Sequence, residues 1–574
     1  MATLIANGTV IGPTGVAPMD VLIDGERVVA LLAPDSELAR RAAAARAERA
    51  GGSGAPGGLG DLEVIDATGR YVLPGGVDVH VHLELPMGPT VSSDTFESGT
   101  RAAAWGGTTT VVDFANQTLG ERVLDGVAAR HAEAAGHCCV DYGFHQVIGD
   151  VNDESLKAMD ELVAHEGITS FKLFMAYPGR LYSDDGQILR AMQVAGRHGA
   201  MVMMHAENGI AIEVLRAQAL ERGETAPSVH ALTRPVELEQ EATYRSVLLA
   251  QVARCPLYVV HLSAADAVEV VMAARDRGAN VFGETCPQYL YLSLEEHLMR
   301  PGFEGAAYVC STPLRPRADG HQDALWRYLR TDDLSVVSTD HCPFCMKDQK
   351  ELGVGDFTKI PNGIGSIEHR MDLLYQGVVR GELSLARWVE LCCTAPARLF
   401  GLYPRKGILQ PGADADVVIY DPTRRTRLGA ATHHMNLDHS AYEGIEVDGG
   451  VELVMSRGTV LGRRPLPRPA RARPLPEARP VRRADLTDTA GWVDQVAAVA
   501  WPNATSIRRR VVSQEIEHLD PVVEPADDEE ATAPSSTRAR GDRRSERNEG
   551  GHLGGPAHAP RPRRRGDRSP VRPG

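Results

Sequence analysis

From Tyr71 onward, short apolar segments of β type alternate with helix-length amphipathic ones, and this alternation restricts the chain more than any other feature. It is the pattern of a parallel sheet with helical crossovers. Eight candidate strands can be counted, at 77–83, 108–114, 140–147, 170–175, 201–205, 257–262, 280–284 and 335–339. Helical segments fall between most of them, for example at 121–135, 154–165, 187–196, 237–253 and 264–275. Eight such strands predict an α/β fold closed as a (β/α)8 TIM-like barrel, whose chemistry belongs at the C-terminal ends of the strands.

The residues at those ends carry metal-ligand chemistry. The first segment closes on His80-Val81-His82, and because side chains of a strand alternate between faces, the two imidazoles point the same way. Neutral imidazole is a good zinc ligand. The fourth strand contains Lys172, the fifth ends at His205, the sixth at His261, and the eighth delivers Asp340. Four histidines and an aspartate suit two zinc-like ions, with a sixth group needed to bridge them. An ammonium cannot bind a cation, so Lys172 is either a structural or substrate-binding lysine or carries carbon dioxide as a carbamate. The spacing leaves both open.

Composition bounds the rest. With 43% hydrophobic and 24% charged residues in 574, the chain reads as an ordinary globular protein. It contains no run as long as an apolar transmembrane helix, and its N-terminus lacks the basic and apolar regions of a signal peptide. Nine cysteines without a disulfide framework fit a reducing compartment, so a cytoplasmic protein with no membrane partner is expected. A net charge of -15 argues against nucleic acid as partner. Cys342-Pro343-Phe344-Cys345 has zinc-knuckle spacing, but no second pair accompanies it, and Cys392-Cys393 reads as core.

Seven stretches carry a family resemblance. They are Pro74-Gly75-Gly76-Val77-Asp78-Val79-His80-Val81-His82-Leu83-Glu84, Gly106-Gly107-Thr108-Thr109-Thr110, Phe171-Lys172-Leu173-Phe174-Met175-Ala176-Tyr177, His205-Ala206-Glu207-Asn208, Gly283-Glu284-Thr285-Cys286-Pro287-Gln288-Tyr289, Ser338-Thr339-Asp340-His341-Cys342-Pro343-Phe344 and Pro361-Asn362-Gly363-Ile364-Gly365. Through them the chain, from residue 1 to about 462, resembles the hydantoinase/dihydropyrimidinase branch of the amidohydrolase superfamily.

The resemblance implies a site. His80 and His82 would hold one zinc with Asp340, His205 and His261 a second, and Lys172, as an N6-carboxylysine, would bridge them; another divalent metal could take the place of zinc. Asp340 would move the proton from water to the leaving nitrogen, and Tyr177 would donate to the developing oxyanion; the competing reading of Tyr177 is aromatic packing. Ser311 and Asn362 would bind the amide edge of the ring through main-chain groups, although Thr312 stands where the family often has proline. Leu85, Met87, Phe174 and Leu181 would form an apolar lid, with broad tolerance of substituents.

The implied activity is hydrolysis of dihydropyrimidines or 5-monosubstituted hydantoins to N-carbamoyl amino acids, with a place in pyrimidine catabolism. The substrate partner is thus a small cyclic ureide, and a homo-oligomer, tetramer or dimer, is expected. Allantoinase and dihydroorotase are the nearest alternatives, but Leu83-Glu84-Leu85-Pro86 follows the histidine pair here, with no arginine for a substrate carboxylate. A non-catalytic scaffold of the same family is disfavoured because all six ligands and Tyr177 are present.

The flanks predict a discontinuous β-sandwich. Its N-terminal half is 1–73, with strands at 4–10, 16–23 and 27–32, a hairpin turn at Asp24-Gly25 and a flexible insertion at 39–61. The barrel spans 74–404, and the second half, 405–462, has strands at 406–420 and 451–460. The tail, 463–574, rich in arginine and proline with an Asp527-Asp528-Glu529-Glu530 patch, has too little apolar surface to fold and is expected to be disordered.

Overall fold

A computed structural model describes residues 2–13, 15–34, 36–41 and 62–463; nearly all of the predicted insertion 39–61 and of the predicted tail 463–574 lies outside them. Eight parallel strands follow one another around a barrel: Gly76–Asp78, Thr108–Ala115, Asp141–Val147, Ser170–Phe174, Met201–His205, Leu257–Val259, Val281–Thr285 and Val336–Val337. All eight expected strands are present. The ring closes where Val81 bridges His341 and the His82 N–H donates to the His341 carbonyl at 2.8 Å.

Burial on both faces is the signature of parallel strands, and all of Thr108–Ala115 is buried. Alternate side chains serve two cores: Val112 and Met203 join an inner cluster with Val77, Val79 and Tyr258, while Val111 and Met204 join the outer one beneath the helices. Phe400 and Leu402 pack into the inner cluster. The helices begin where polar side chains satisfy their free N–H groups. Asn152 accepts from Glu154 and Ser155 ahead of Asp153–Glu161, and Asp184 forms a reciprocal pair with Gln187 ahead of Asp185–Arg197. None of the helices described is long and apolar enough to cross a membrane.

The first strand is shorter than the expected 77–83. Its carboxylate Asp78 accepts from the Thr339 N–H at 3.2 Å and the Thr339 hydroxyl at 2.7 Å. The chain is thereby drawn from the second strand toward the eighth, and both histidines sit past the strand's end, on either side of Val81.

The flanking strands form one further sheet, ordered Thr459–Arg463, Glu446–Ser456, Val417–Arg427, Tyr71–Pro74, Ala2–Gly12, Gly15–Asp24 and Arg27–Leu32, with Glu63–Asp66 also paired to Ala2–Gly12. It folds over itself, so that Val21, Ile23 and Val28 from one end share a core with Val417, Ile419, Leu453 and Met455 from the other. The hairpin turn falls one residue later than expected, at Gly25-Glu26 between paired Asp24 and Arg27, where Gly25 takes φ +56°.

The expected strand at 406–420 begins only at Val417. Before it, the buried Lys406 ammonium holds Asp414 at 2.9 Å, Asp416 at 2.7 Å and also Asp141 of the barrel, which fixes this stretch as a loop. The expected strand at 451–460 starts earlier, at Glu446, and turns before Thr459.

Candidate functional site

Every side chain given a site role from the sequence reaches one cavity of about 150 Å³ at the C-terminal mouth of the barrel. His80, His82, Lys172, His205, His261 and Asp340 line its floor. Tyr177, Ser311 and Asn362 line it as well, as do the apolar Leu85, Met87, Phe174 and Leu181. Arg180 also lines it, so an arginine does reach the cavity, from the loop after the fourth strand rather than after the histidine pair.

His80 Nε2 lies 3.2 Å and His82 Nε2 3.1 Å from the same Asp340 oxygen, and ligand atoms from the three residues lie within 4.8 Å of one another. The rings of His205 and His261 are 4.5 Å apart, and His261 lies 5.6 Å from His80. Between these groups the buried Lys172 Nζ sits 5.2 Å from the Phe114 ring and 5.3 Å from that of Phe174.

Burial, aided by Lys172, pushes the pKa of His80 well below the usual imidazole value, and burial aided by His205 does the same to His261. Both rings are therefore neutral at neutral pH. Burial also lowers the pKa of Lys172. It opposes ionisation of Asp340, but His80 and His82 outweigh it and keep the carboxyl below its ordinary range. Tyr177 is pushed up to about 12, by burial first and then by Glu207, so its phenol stays protonated.

Two carboxylates and a histidine that the sequence did not single out complete the surroundings. Glu284 accepts from His80 Nδ1, which leaves Nε2 turned to Asp340, and it also takes the Tyr258 hydroxyl at 2.8 Å. Glu207 holds His205 Nε2 at 2.7 Å. His230 Nε2 lies 3.2 Å from the Ser311 hydroxyl, which accepts from Asn362 Nδ2 at 3.2 Å. Glu207 and Glu284 lie within quoted motifs, and an acid closing an apolar strand was the available signal.

Tyr177, His261 and Asp340 have φ of +62°, +41° and +48°, conformations that non-glycine residues adopt at a cost and that gather at functional sites. The donor set suits a divalent cation. It combines neutral imidazoles and an ionised carboxylate, two of the rings are oriented by carboxylates, and the buried Nδ1 atoms of His82 and His261 have no partner among the described residues.

Residues 71–461 match the Amidohydrolase family. The chain belongs to that family. Within it, this amidohydrolase is 58% identical over 456 residues to a D-hydantoinase of Streptomyces coelicolor, covering 79% of the present chain and 93% of the relative. Its fold matches the crystal structure of a dihydropyrimidinase from Brevibacillus agri with a TM-score of 0.75 at 46% identity, over 81% and 95% of the two chains. An L-hydantoinase from Arthrobacter aurescens matches at 0.69 and 29%, over 80% and 95%. These matches place the amidohydrolase in the hydantoinase/dihydropyrimidinase branch, as a cyclic amidohydrolase.

Proposed function

We propose that this enzyme hydrolyses the cyclic ureide of 5-monosubstituted hydantoins and dihydropyrimidines to N-carbamoyl amino acids. The observation that carries the reading is the convergence of six ligand-type side chains and an apolar lid on one cavity. The names of its relatives, D-hydantoinase and dihydropyrimidinase, support the substrate class.

His80, His82 and Asp340 would hold one zinc or other divalent ion, His205 and His261 a second, and Lys172 as a carbamate would lie between them. Bound metal would supply a Lewis acid for the ring carbonyl and bring the pKa of a water near neutral. Asp340, ionised and beside both histidines, takes the proton from the attacking water and returns it to the ring nitrogen as the C–N bond breaks. The carbonyl carbon leaves as a carboxylate and the nitrogen as part of the ureido group. Tyr177, held protonated, donates to the carbonyl oxygen as charge gathers there. Main-chain groups at Ser311 and Asn362 receive the amide edge of the ring. Leu85, Met87, Phe174 and Leu181 cover the exocyclic substituent and exclude water.

The proposal includes a cytoplasmic homo-oligomer, dimer or tetramer. Exposed Ile210 and Val214 on helix Gly209–Glu221, with Tyr244, Leu248 and Val252 on Val236–Ala253, offer apolar surface for such contacts.

The test is metal analysis of protein produced with zinc and carbon dioxide, together with parallel assays of dihydrouracil, a 5-monosubstituted hydantoin and allantoin. The expected result is about two metal ions per chain and ring opening of the first two substrates. Lys172→Ala should lose activity and regain part of it with a short carboxylic acid. Metal-free protein that opens no ring overturns the reading.

A further inference from the structure

Lys350 begins the short turn Lys350–Gly353, on the loop that follows Asp340, and its side chain is completely buried. Its ammonium donates to three main-chain carbonyls: Val309 at 3.1 Å, Pro361 at 2.8 Å and Gly363 at 2.9 Å. Three donors thus meet three acceptors. Among the described residues no carboxylate is paired with the ammonium, and its charge rests on the three carbonyl dipoles. Burying a cation in this way is costly, and a methionine of similar length would fill the same space. What the lysine adds is the tie between the three carbonyls.

Those carbonyls belong to two separate loops. One carries Val309, Cys310 and Ser311, the other Pro361, Asn362 and Gly363, and both reach the cavity through Ser311, Asn362 and Gly363. The loops touch each other twice more: the Gly363 N–H donates to the Val309 carbonyl at 2.9 Å, and Asn362 Nδ2 to the Ser311 hydroxyl at 3.2 Å. Gly363 also lies against Cys342, whose carbonyl oxygen a Cβ would meet at 2.1 Å. The Pro361 carbonyl shares its peptide unit with the Asn362 N–H. A cation on that oxygen draws electron density from the unit and makes the N–H a stronger donor.

We propose that Lys350 is a positioning residue for substrate: its buried ammonium staples the Ser311 and Asn362 loops at the spacing that receives the amide edge of the ring, and strengthens the Asn362 N–H as a donor. The inference rests on the reading that these two loops bind the cyclic ureide.

The experiment compares full-length, metal-loaded wild type with Lys350→Met and Lys350→Gln, measuring kcat and KM for dihydrouracil and metal per chain. Loss of the charged staple is expected to raise KM roughly ten- to hundredfold in the Met variant, with metal content unchanged and kcat at saturation within about threefold. Gln keeps two N–H donors and should raise KM less. A lysine needed only for folding would lower the melting temperature and leave KM alone. A folded Met variant with wild-type KM overturns the inference while the active wild type upholds the function; a wild type that opens no cyclic ureide overturns both.

If neither variant folds, the wild type decides. Burial brings the Lys350 pKa down to about 8. Of the other titratable groups acting with it, His230 and His439 lie below the usual imidazole value, while Cys310 at about 12 and Cys342 lie above the usual thiol value, each moved first by burial. Among these groups, the lysine is the one that loses its proton between pH 7 and 10. KM for dihydrouracil should therefore rise as the Lys350 amine, followed by the 15N shift of its Nζ, loses its proton, and a KM that stays flat through that titration refutes the staple.

Discussion

Replacing Glu284 by Gln preserves size and shape but removes the negative charge and turns one of two accepting oxygens into a donor. The carboxylate now takes His80 Nδ1, the Tyr258 hydroxyl at 2.8 Å and the His261 N–H at 3.2 Å. An amide has one accepting oxygen, and its nitrogen only donates. With its oxygen toward His80, the amide still accepts from His80 Nδ1 and the His261 N–H while its NH2 meets the Tyr258 hydroxyl, but the bond to His80 loses its charge assistance. Turned the other way, the NH2 donates to Nδ1 and moves the ring proton to Nε2, the nitrogen 3.2 Å from Asp340. Either orientation weakens the hold on His80 in its proposed role as a ligand.

Loss of one charge-assisted bond costs about 1.5–3 kcal/mol. At ~1.4 kcal/mol per tenfold, that is roughly a ten- to hundredfold loss of metal affinity, in the range found for carboxylates that orient ligating histidines. The assay is competition between loaded protein and a chelator of known affinity, read as metal retained per chain. Tyr258→Phe provides the control: it removes a neutral partner of Glu284, leaves His80 paired, and should weaken retention less. A folded Glu284→Gln protein that retains metal like wild type would falsify the claim that this carboxylate orients His80.

Tyr177→Phe should reduce kcat about 10²- to 10³-fold without changing metal content, and a variant of normal kcat would reduce Tyr177 to a packing role. Lys406→Met leaves the buried Asp416 without its cation, while Asp141 keeps Arg457 and Asp414 keeps Arg27 and Arg405, at a cost of about 3–5 kcal/mol. It should show as faster thermal inactivation with KM unchanged, and equal half-lives would refute the anchor. Acid should destabilise the fold through Asp94 and Glu207. Burial raises their pKa values, but hydrogen bonds from His341 and His205 outweigh it and leave them below 3.8 and 4.5. Their contribution is complete above those values and is lost as pH falls through the lower folded ones. In unfolding titrations from pH 7 to 3, Asp94→Asn should therefore begin less stable and lose less; an unchanged pH slope would dismiss the Asp94 share.

The eight barrel strands were legible because each is a buried apolar run between amphipathic helices, a local pattern. Strand ends were less so. Nothing near Asp78 announces that Thr339 will capture it, since that contact joins residues far apart in the chain. The same distance hid Glu284 from His80, while the carbonyls that take Lys350 are main-chain groups that no residue type announces. That the six candidate ligands share one cavity was readable because barrel topology sends all strand ends to one mouth. Residues 406–416 were misread as strand because alternation is a property of side chains, whereas Lys406 and its three aspartates decide the backbone there.

The sheet outside the barrel has a consequence for synthesis. Tyr71–Pro74 pairs with Val417–Tyr420, so roughly 340 residues must be translated between the two sides of that ladder. At ~5–20 residues per second, the first side waits for some tens of seconds with an open edge. During that interval the exposed ladder is a place where a ribosome-bound chain can meet its neighbour or a chaperone. The nascent barrel can assemble its own parallel strands meanwhile, and the last strands then arrive as a clasp that shuts the edge.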